Sequence, residues 1–427
     1  AASVIGAKHL DGLENGMVVD VGGTTTDIAV LRDGRPGLNP EGARVGRWRT
    51  MVEAVDMRTA GIGGDSHVRI TREREIEIGP RRVIPLCILA HQHPEVLRDL
   101  ERQHLLVEAY DELAAEFVAP SRPIPTEGRD FSPVEVELLA SLNHAPKSLI
   151  SLTSRARFRR HYLSYLYEWE DEGYLQRAGF TPTDATIVLG QYDAWDGEGS
   201  RLGAELLARM AGLTVEELCR RVVEGVSDKV SREVLAKVLE DDRDLALAPE
   251  DRVGRFLIDN ALGKDNAGTH LHCSLKLDVP LVAIGAPVRM YMPRVAEWLH
   301  TDLSIPEHAG LANAIGAVSG SVVQTVRLII QPAEAGEMVR LHSPLGVQEF
   351  VDLEEAVEAA LPLGRQLAAE QARLAGAGEF EIQVERHDKV AQVASGWGDE
   401  LFLGSELVFR AVGRPSLVKR AHPSFSE

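Results

Sequence analysis

Residues Val18 to Leu31 read Val-Val-Asp-Val-Gly-Gly-Thr-Thr-Thr-Asp-Ile-Ala-Val-Leu, and they constrain the fold more than any other stretch. An apolar strand runs into Asp20, turns at Gly22 and Gly23, and resumes as an apolar strand from Ile28. Glycines let a backbone approach a ligand closely and present N–H groups to it. Thr24, Thr25 and Thr26 add hydroxyl donors, and Asp20 and Asp27 suit a hydrated magnesium ion. A plain Gly-Gly hairpin is common. Two carboxylates and three hydroxyls crowded at one turn point further, to a grip on the phosphates of ATP.

The chain has 427 residues, long enough for two or more domains with full cores. Its net charge of −19 argues against a general nucleic-acid or anionic-membrane binder. No apolar run reaches the roughly 18 residues needed to span a bilayer, and Ala1 to Gly16 lacks the blocks of a signal peptide. Cys87, Cys219 and Cys273 lie far apart without a CxxC pair, so reduced thiols and a cytoplasmic location are expected. The sequence lacks an initiator Met and starts a few residues before the motif strand, which suggests a piece of something longer.

Four regions are expected. Residues 1–80 carry the hairpin and a second glycine-rich turn, Gly61-Ile-Gly-Gly-Asp-Ser66, whose Val68, Ile70, Ile76 and Ile78 predict another hairpin. Residues 81–180 read as a helical insertion, with a helix over His91 to Glu116 and a helix–turn–helix–strand order from Ser132 to Gly179. That order resembles a winged-helix module, whose cationic face would be Arg155, Arg157, Arg159, Arg160 and His161. The acidic balance favours a scaffold or subunit contact of the same shape over DNA binding. Residues 181–324 continue with helices, Thr214 to Glu217 forming a capping box, then a buried strand Val279 to Ile284 and helices Val288 to His300 and Leu311 to Val323. Residues 325–427 read as an α+β domain with one long helix from Leu353 to Gly376.

The second candidate site is Ala283-Ile-Gly-Ala-Pro287, followed by the small-residue stretch Ala309 to Gly316. A strand ending in Gly-Ala-Pro leaves a flat opening for adenine at the carboxyl edge of a sheet. Asp65 is a candidate base or metal ligand, or else simply the cap of its own turn. His91/His93 and His270/His272 have metal-type spacing but no third ligand in pattern. No Ser/His/Asp set or GxSxG turn is present.

Asp20-Val-Gly-Gly-Thr-Thr-Thr-Asp27 resembles the second of two Asp-x-Gly-Gly-Thr-x-Thr-Asp segments of the hydantoinase/oxoprolinase family, within the actin and sugar-kinase superfamily. Gly61 to Ser66, Ile78-Gly-Pro80, Thr181 to Gly190, Ile284 to Pro287 and Ala309 to Gly316 agree in order, over roughly residues 1 to 320. The resemblance implies a nucleotide cleft between two ribonuclease-H-like lobes, so the fold class expected is α/β: one actin/sugar-kinase-type lobe, together with the helical, winged-helix-like insertion and the C-terminal α+β domain that the residue pattern indicates. It implies ATP and Mg2+ as cofactors. Asp20 and Asp27 would hold the metal, with Asp20 and Asp65 as catalytic carboxylates. Gly22, Gly23, Thr24, Thr25 and Thr26 would hold phosphate, and Gly285, Ala286, Gly310 and Asn313 would border the adenosine.

The substrate would be a small cyclic amide such as a hydantoin or 5-oxoproline; a ketone carboxylase component and a non-catalytic nucleotide-binding module are the alternatives. The partners implied are a missing N-terminal lobe and a second large subunit, or a homo-oligomer. The first Asp-x-Gly-Gly-Thr segment is absent, the loop at Gly285 is lean in glycine, and the stretch 131–180 is outside the usual pattern. Half a cleft is expected, without independent turnover.

Overall fold

The apolar run ahead of Asp20 is buried on both faces. Met17, Val18, Val19 and Val21 are fully buried because strand Gly16–Val21 is interior to a six-stranded sheet. It pairs antiparallel with Thr26–Arg32 and parallel with Leu281–Ile284, which pairs parallel with Leu303–Ser304. Arg35–Pro36 and Met57–Ala60 complete the sheet beside Thr26–Arg32. A strand covered on both faces reads as continuous rather than alternating hydrophobicity, which is what Leu281–Ile284 also shows.

The computed structural model describes residues 2–39, 42, 44–45, 48–49, 54–106, 110–125, 128, 130–142, 145–154, 159–195, 197–243, 245, 251–263, 270–320, 322–333, 338–392 and 400–415. The chain divides after Asn313 into two compact units. Among the described residues, no helix is long and apolar enough to cross a membrane.

The second hairpin forms as its alternation predicts. Ser66–Ile70 and Ile76–Arg82 pair with Ile70 opposite Ile76 and Val68 opposite Ile78, as a sheet of their own. Beyond it the expected helix over His91 to Glu116 is instead two shorter ones, Leu86–Gln92 and Glu95–Leu106. The break falls at Pro94, which cannot continue the hydrogen-bonding ladder of the first helix.

In the insertion, helices Pro133–Leu142, Leu149–Thr153 and Arg159–Asp171 precede strand Leu175–Gly179 and enclose a small core around Trp169 and Leu166. The strand joins a four-stranded sheet, parallel to Ile84–Pro85 and antiparallel to Phe117–Pro120, and the chain then enters helix Pro182–Val188. Among the described residues no following strand pairs with it as a wing would. Arg155 and Arg157 of the cationic face lie outside the described residues. Arg159 is held by both oxygens of Asp111, at 2.7 and 3.0 Å, so its charge is already paired.

Helices Glu198–Ala211 and Val215–Arg243 pack their apolar stripes onto the main core; the Thr214 hydroxyl accepts from the Glu217 N–H at 3.2 Å, as the capping box predicts. The helix expected over Leu311 to Val323 ends at Ser319, and a strand starts at Val322. In the second unit, strands in the order Gly346–Phe350, Val339–Ser343, Val322–Pro332, Glu400–Pro415 and Ala377–Gln392 form an antiparallel sheet. Helix Leu353–Leu374 covers one face, burying alanines against Leu328 and Phe409.

Candidate functional site

The turn between the first two strands is clamped from one side. The Gly22 N–H donates to the Thr25 carbonyl at 2.9 Å. The Gly22 and Gly23 carbonyls accept from the N–H groups of Gly64 and Asp65 at 3.1 and 2.7 Å. In a trans peptide the C=O and the next N–H point in opposite directions. Pinning those two carbonyls therefore aims the Gly23 and Thr24 N–H groups away from the second turn. Neither has a backbone acceptor among the described residues. Consecutive N–H groups presented this way form an anion-binding concavity.

Gly63 makes the clamp possible. A Cβ there would stand 2.4 Å from the Gly22 oxygen and 2.6 Å from that of Gly23, both backbone atoms that cannot swing aside. Gly63→Ala is expected to push the two turns apart and to cost about 1–3 kcal/mol in an overpacked site. Thermal unfolding together with nucleotide titration reads both effects, and an unchanged melt would show that the contact is not close.

Thr24 is exposed and Thr25 partly so, but Thr26 is set apart from them. Its side chain is fully buried, and its hydroxyl donates to the Ile62 carbonyl at 2.8 Å. That hydrogen bond ties the two turns together, and it takes Thr26 out of the set of hydroxyls available to a phosphate.

Asp20, Asp27 and Thr59 form one cross-strand row. Asp20 is opposite Asp27, and Asp27 is opposite Thr59, whose hydroxyl donates to Asp27 Oδ1 at 2.5 Å. Directly opposed residues have Cβ atoms about 4.5–5.5 Å apart and share a face. Burial, and to a lesser extent the neighbouring charge of Asp27, raise the Asp20 pKa above 3.8; a hydrogen bond from Ser3 acts the other way. No salt bridge to either carboxylate is found among the described residues. Two like charges on one face of a sheet repel, which is the setting a hydrated divalent cation relieves.

The Asp20 shift has a defined sign. A carboxyl whose pKa rises on folding favours the protonated folded state, so its stabilising contribution is fully present below the unfolded value. It is lost as pH rises through the raised folded value. Millimolar magnesium should therefore raise the melting temperature more at about pH 7 than at about pH 4, a difference read by thermal shift. Equal shifts at both pH values would argue that magnesium does not act at Asp20.

Asp65 sits against the hairpin at Gly23 and is paired with Arg82, Oδ2 accepting from Nε at 3.2 Å. Gly285, with φ of +109°, follows strand Leu281–Ile284 and lies beside Asp20; a Cβ there would be 2.1 Å from the Val21 oxygen. Its N–H donates to the Ala309 carbonyl at 3.0 Å, and Ala286 neighbours Gly310. The two glycine loops thus meet at the carboxyl ends of two parallel strands, where open α/β sheets bind ligands. Asn313 is exposed one helical turn further on. A cavity of about 530 Å3, lined by Gln191, Arg289, Met290, Pro293, Arg294 and Glu297, opens along helix Val288–Trp298, directly after Pro287.

Several contributors carried no signal in sequence spacing. Thr183 reaches the second turn, its N–H and hydroxyl donating to the Gly64 carbonyl at 2.9 and 2.8 Å. Ser3 and Thr59 reach the aspartates from distant parts of the chain. Among the described residues, no three His, Cys, Asp or Glu side chains are grouped for a metal; His91 instead packs edge-on to Trp195. Burial pushes the Cys219 thiol up to about 12 and the Cys87 thiol further, so neither is a nucleophile near neutral pH.

The hydantoinase/oxoprolinase family model matches residues 1–244, more than half of the chain. The chain belongs to the hydantoinase/oxoprolinase family. No curated protein matches it. Among solved structures, a nucleotide-free acetone carboxylase, described in connection with the mechanism of ATP-dependent acetone carboxylation, is similar at 15% identity with a TM-score of 0.50. The match covers 96% of this chain and 49% of that one. An ATP-dependent caprolactamase from Pseudomonas jessenii is similar at 14% identity and a TM-score of 0.43, covering 97% and 49%. The chain thus spans about half the length of these two structures. The likeness to acetone carboxylase is one of fold, and the mixed α/β architecture of this hydantoinase-family chain agrees with it.

Proposed function

We propose that this chain carries the second nucleotide-binding lobe of an ATP-dependent enzyme that opens small cyclic amides, as hydantoinases and 5-oxoprolinases do. The observation that carries the reading is the clamped Gly22–Gly23 turn, whose Gly23 and Thr24 N–H groups have no backbone acceptor among the described residues, beside an Asp20–Asp27 pair with no salt bridge among them. In it, Gly23, Thr24 and Thr25 receive phosphate oxygens, and Asp20 and Asp27 hold hydrated Mg2+ through its waters. Gly285, Ala286 and Gly310 border the adenosine, whose base enters the cavity beside Arg289. Bound nucleotide and metal supply a phosphoryl group able to activate an amide oxygen. Asp65, paired with Arg82, sets its carboxylate against Gly23 of the turn. Family membership supports the chemistry. The opposing lobe and any second subunit are part of the proposal, since about half of the length of the similar structures is matched.

The fold shared with acetone carboxylase favours ATP-dependent ketone carboxylation as the second reading. Calorimetric titration of the chain with MgADP tests the shared nucleotide site; absence of binding both here and in a longer protein containing the first lobe would reject it. Bicarbonate-dependent ATP hydrolysis in the longer protein would favour carboxylation, and hydantoin- or oxoproline-dependent hydrolysis the amide reading.

A further inference from the structure

Behind the second turn runs a buried series of charges that the nucleotide site does not use. His67, in strand Ser66–Ile70, contacts Glu116 Oε1 through Nε2. Glu116 Oε2 accepts from Arg177 Nη1 at 3.4 Å, and Arg177 Nη2 donates to Glu170 Oε2 at 3.0 Å. The other oxygen of Glu170 pairs with Arg81, in strand Ile76–Arg82. The side chains of His67, Glu116, Arg177 and Glu170 are all less than a tenth exposed, and only Arg81 reaches solvent freely. Two arginines face two glutamates along the series.

The two ends of this series lie one on each strand of the second hairpin, and its middle belongs to the insertion. Among the described residues that hairpin is a sheet of two strands, tied to the rest of the chain by single bonds such as those from the Val68 N–H to the Phe180 carbonyl and from Thr183 to the Gly64 carbonyl. A two-stranded hairpin is marginal alone, yet this one must hold Gly64 and Asp65 within hydrogen-bonding distance of Gly22 and Gly23. Val68, Ile70 and Ile78 seat its apolar side on the core. Apolar contact is non-directional; an ion-paired network with fixed partners is not. Buried ion pairs add little net stability over apolar residues, and fixing geometry is their better-attested use.

We infer that the insertion is a brace. Glu116, Arg177 and Glu170 are positioning residues that hold the Gly64–Asp65 turn against the first hairpin, and through it set nucleotide affinity. The second half of this inference rests on the nucleotide reading above; the first half does not.

Amide hydrogen exchange in the full nucleotide-free chain tests the brace. In Arg177→Met, exchange at Gly64 and Asp65 should accelerate about tenfold, while amides within Val215–Arg243 keep their protection, and Arg177→Lys should recover part of the loss. MgADP affinity measured by calorimetry should fall by a similar factor, with Asp20→Asn as the control that removes metal binding directly. Unchanged exchange at Gly64 and Asp65, or equal acceleration throughout the chain, overturns the brace. Accelerated exchange with wild-type MgADP affinity, where Asp20→Asn loses binding, overturns the positioning role. If the wild-type chain does not bind MgADP, affinity is read in the longer protein that contains the first lobe; absence of binding there too is the failure of the nucleotide reading, and exchange still decides the brace. Should Arg177→Met not fold, Arg81→Ala at the exposed end decides alone: about threefold faster exchange at the turn supports the brace, and none overturns it.

Discussion

Asp20→Ala in the intact protein is expected to abolish ATP-dependent turnover, by at least about a hundredfold, while the fold survives. The carboxylate stands at the end of a central strand, next to Asp27 across the sheet and to Gly285 in the neighbouring loop. A cation held there would stabilise charge developing on a transferred phosphoryl group, an effect worth several kcal/mol at a preorganised site. Folding should be little affected. Asp20 is only partly buried, and the relief of its repulsion with Asp27 offsets the loss of its hydrogen bond with Ser3. The measured melt should shift by no more than about 1 kcal/mol equivalent, in either direction. Steady-state ATP hydrolysis alongside circular dichroism separates the two effects, and full turnover in a folded variant would sink the phosphate assignment. Thr26→Val offers a contrast: it breaks the bond to Ile62 and acts through the turn, not through the metal.

How far the sequence showed this site depends on the range of the interaction. The hairpin at Asp20 was legible because its strand residues, its turn glycines and its carboxylates all fall within fourteen consecutive positions, Val18 to Leu31. Both hairpins and the cap at Thr214 are local in the same sense, as is the long helix that ends at Leu374. What was not legible is long-range. Nothing in the residues around Gly63 announces that its missing Cβ makes room for the Gly22 carbonyl. Thr26 reads like its two neighbours until strand alternation and the Ile62 carbonyl turn it inward. Pro94 was visible, yet a strong amphipathic pattern on either side of it masked the break. Arg159 looked like part of a cationic face because Asp111, which neutralises it, lies on a distant loop.

Asp184→Ala should be the most destabilising single change in the first unit, by about 3–5 kcal/mol, because it strips acceptors from a buried network. The carboxylate is fully buried and accepts from five donors: the N–H groups of Leu86, Cys87 and Thr181, and the hydroxyls of Thr181 and Ser200. Those donors begin helix Leu86–Gln92, cap helix Pro182–Val188, and fix helix Glu198–Ala211. One side chain thereby joins three helix starts, satisfying N–H groups that have no partner inside their own helices. For a unit of this size the loss corresponds to a fall in melting temperature of about 5–8 °C. Asp184→Asn should also destabilise, since its amide nitrogen would face donors that need an acceptor. Ser200→Ala, which removes one donor and leaves the others matched, should cost only about 1 kcal/mol. Differential scanning calorimetry of the three variants ranks them. If Asp184→Ala melted no lower than Ser200→Ala, the helices would be held by packing alone, and the buried carboxylate would need another role.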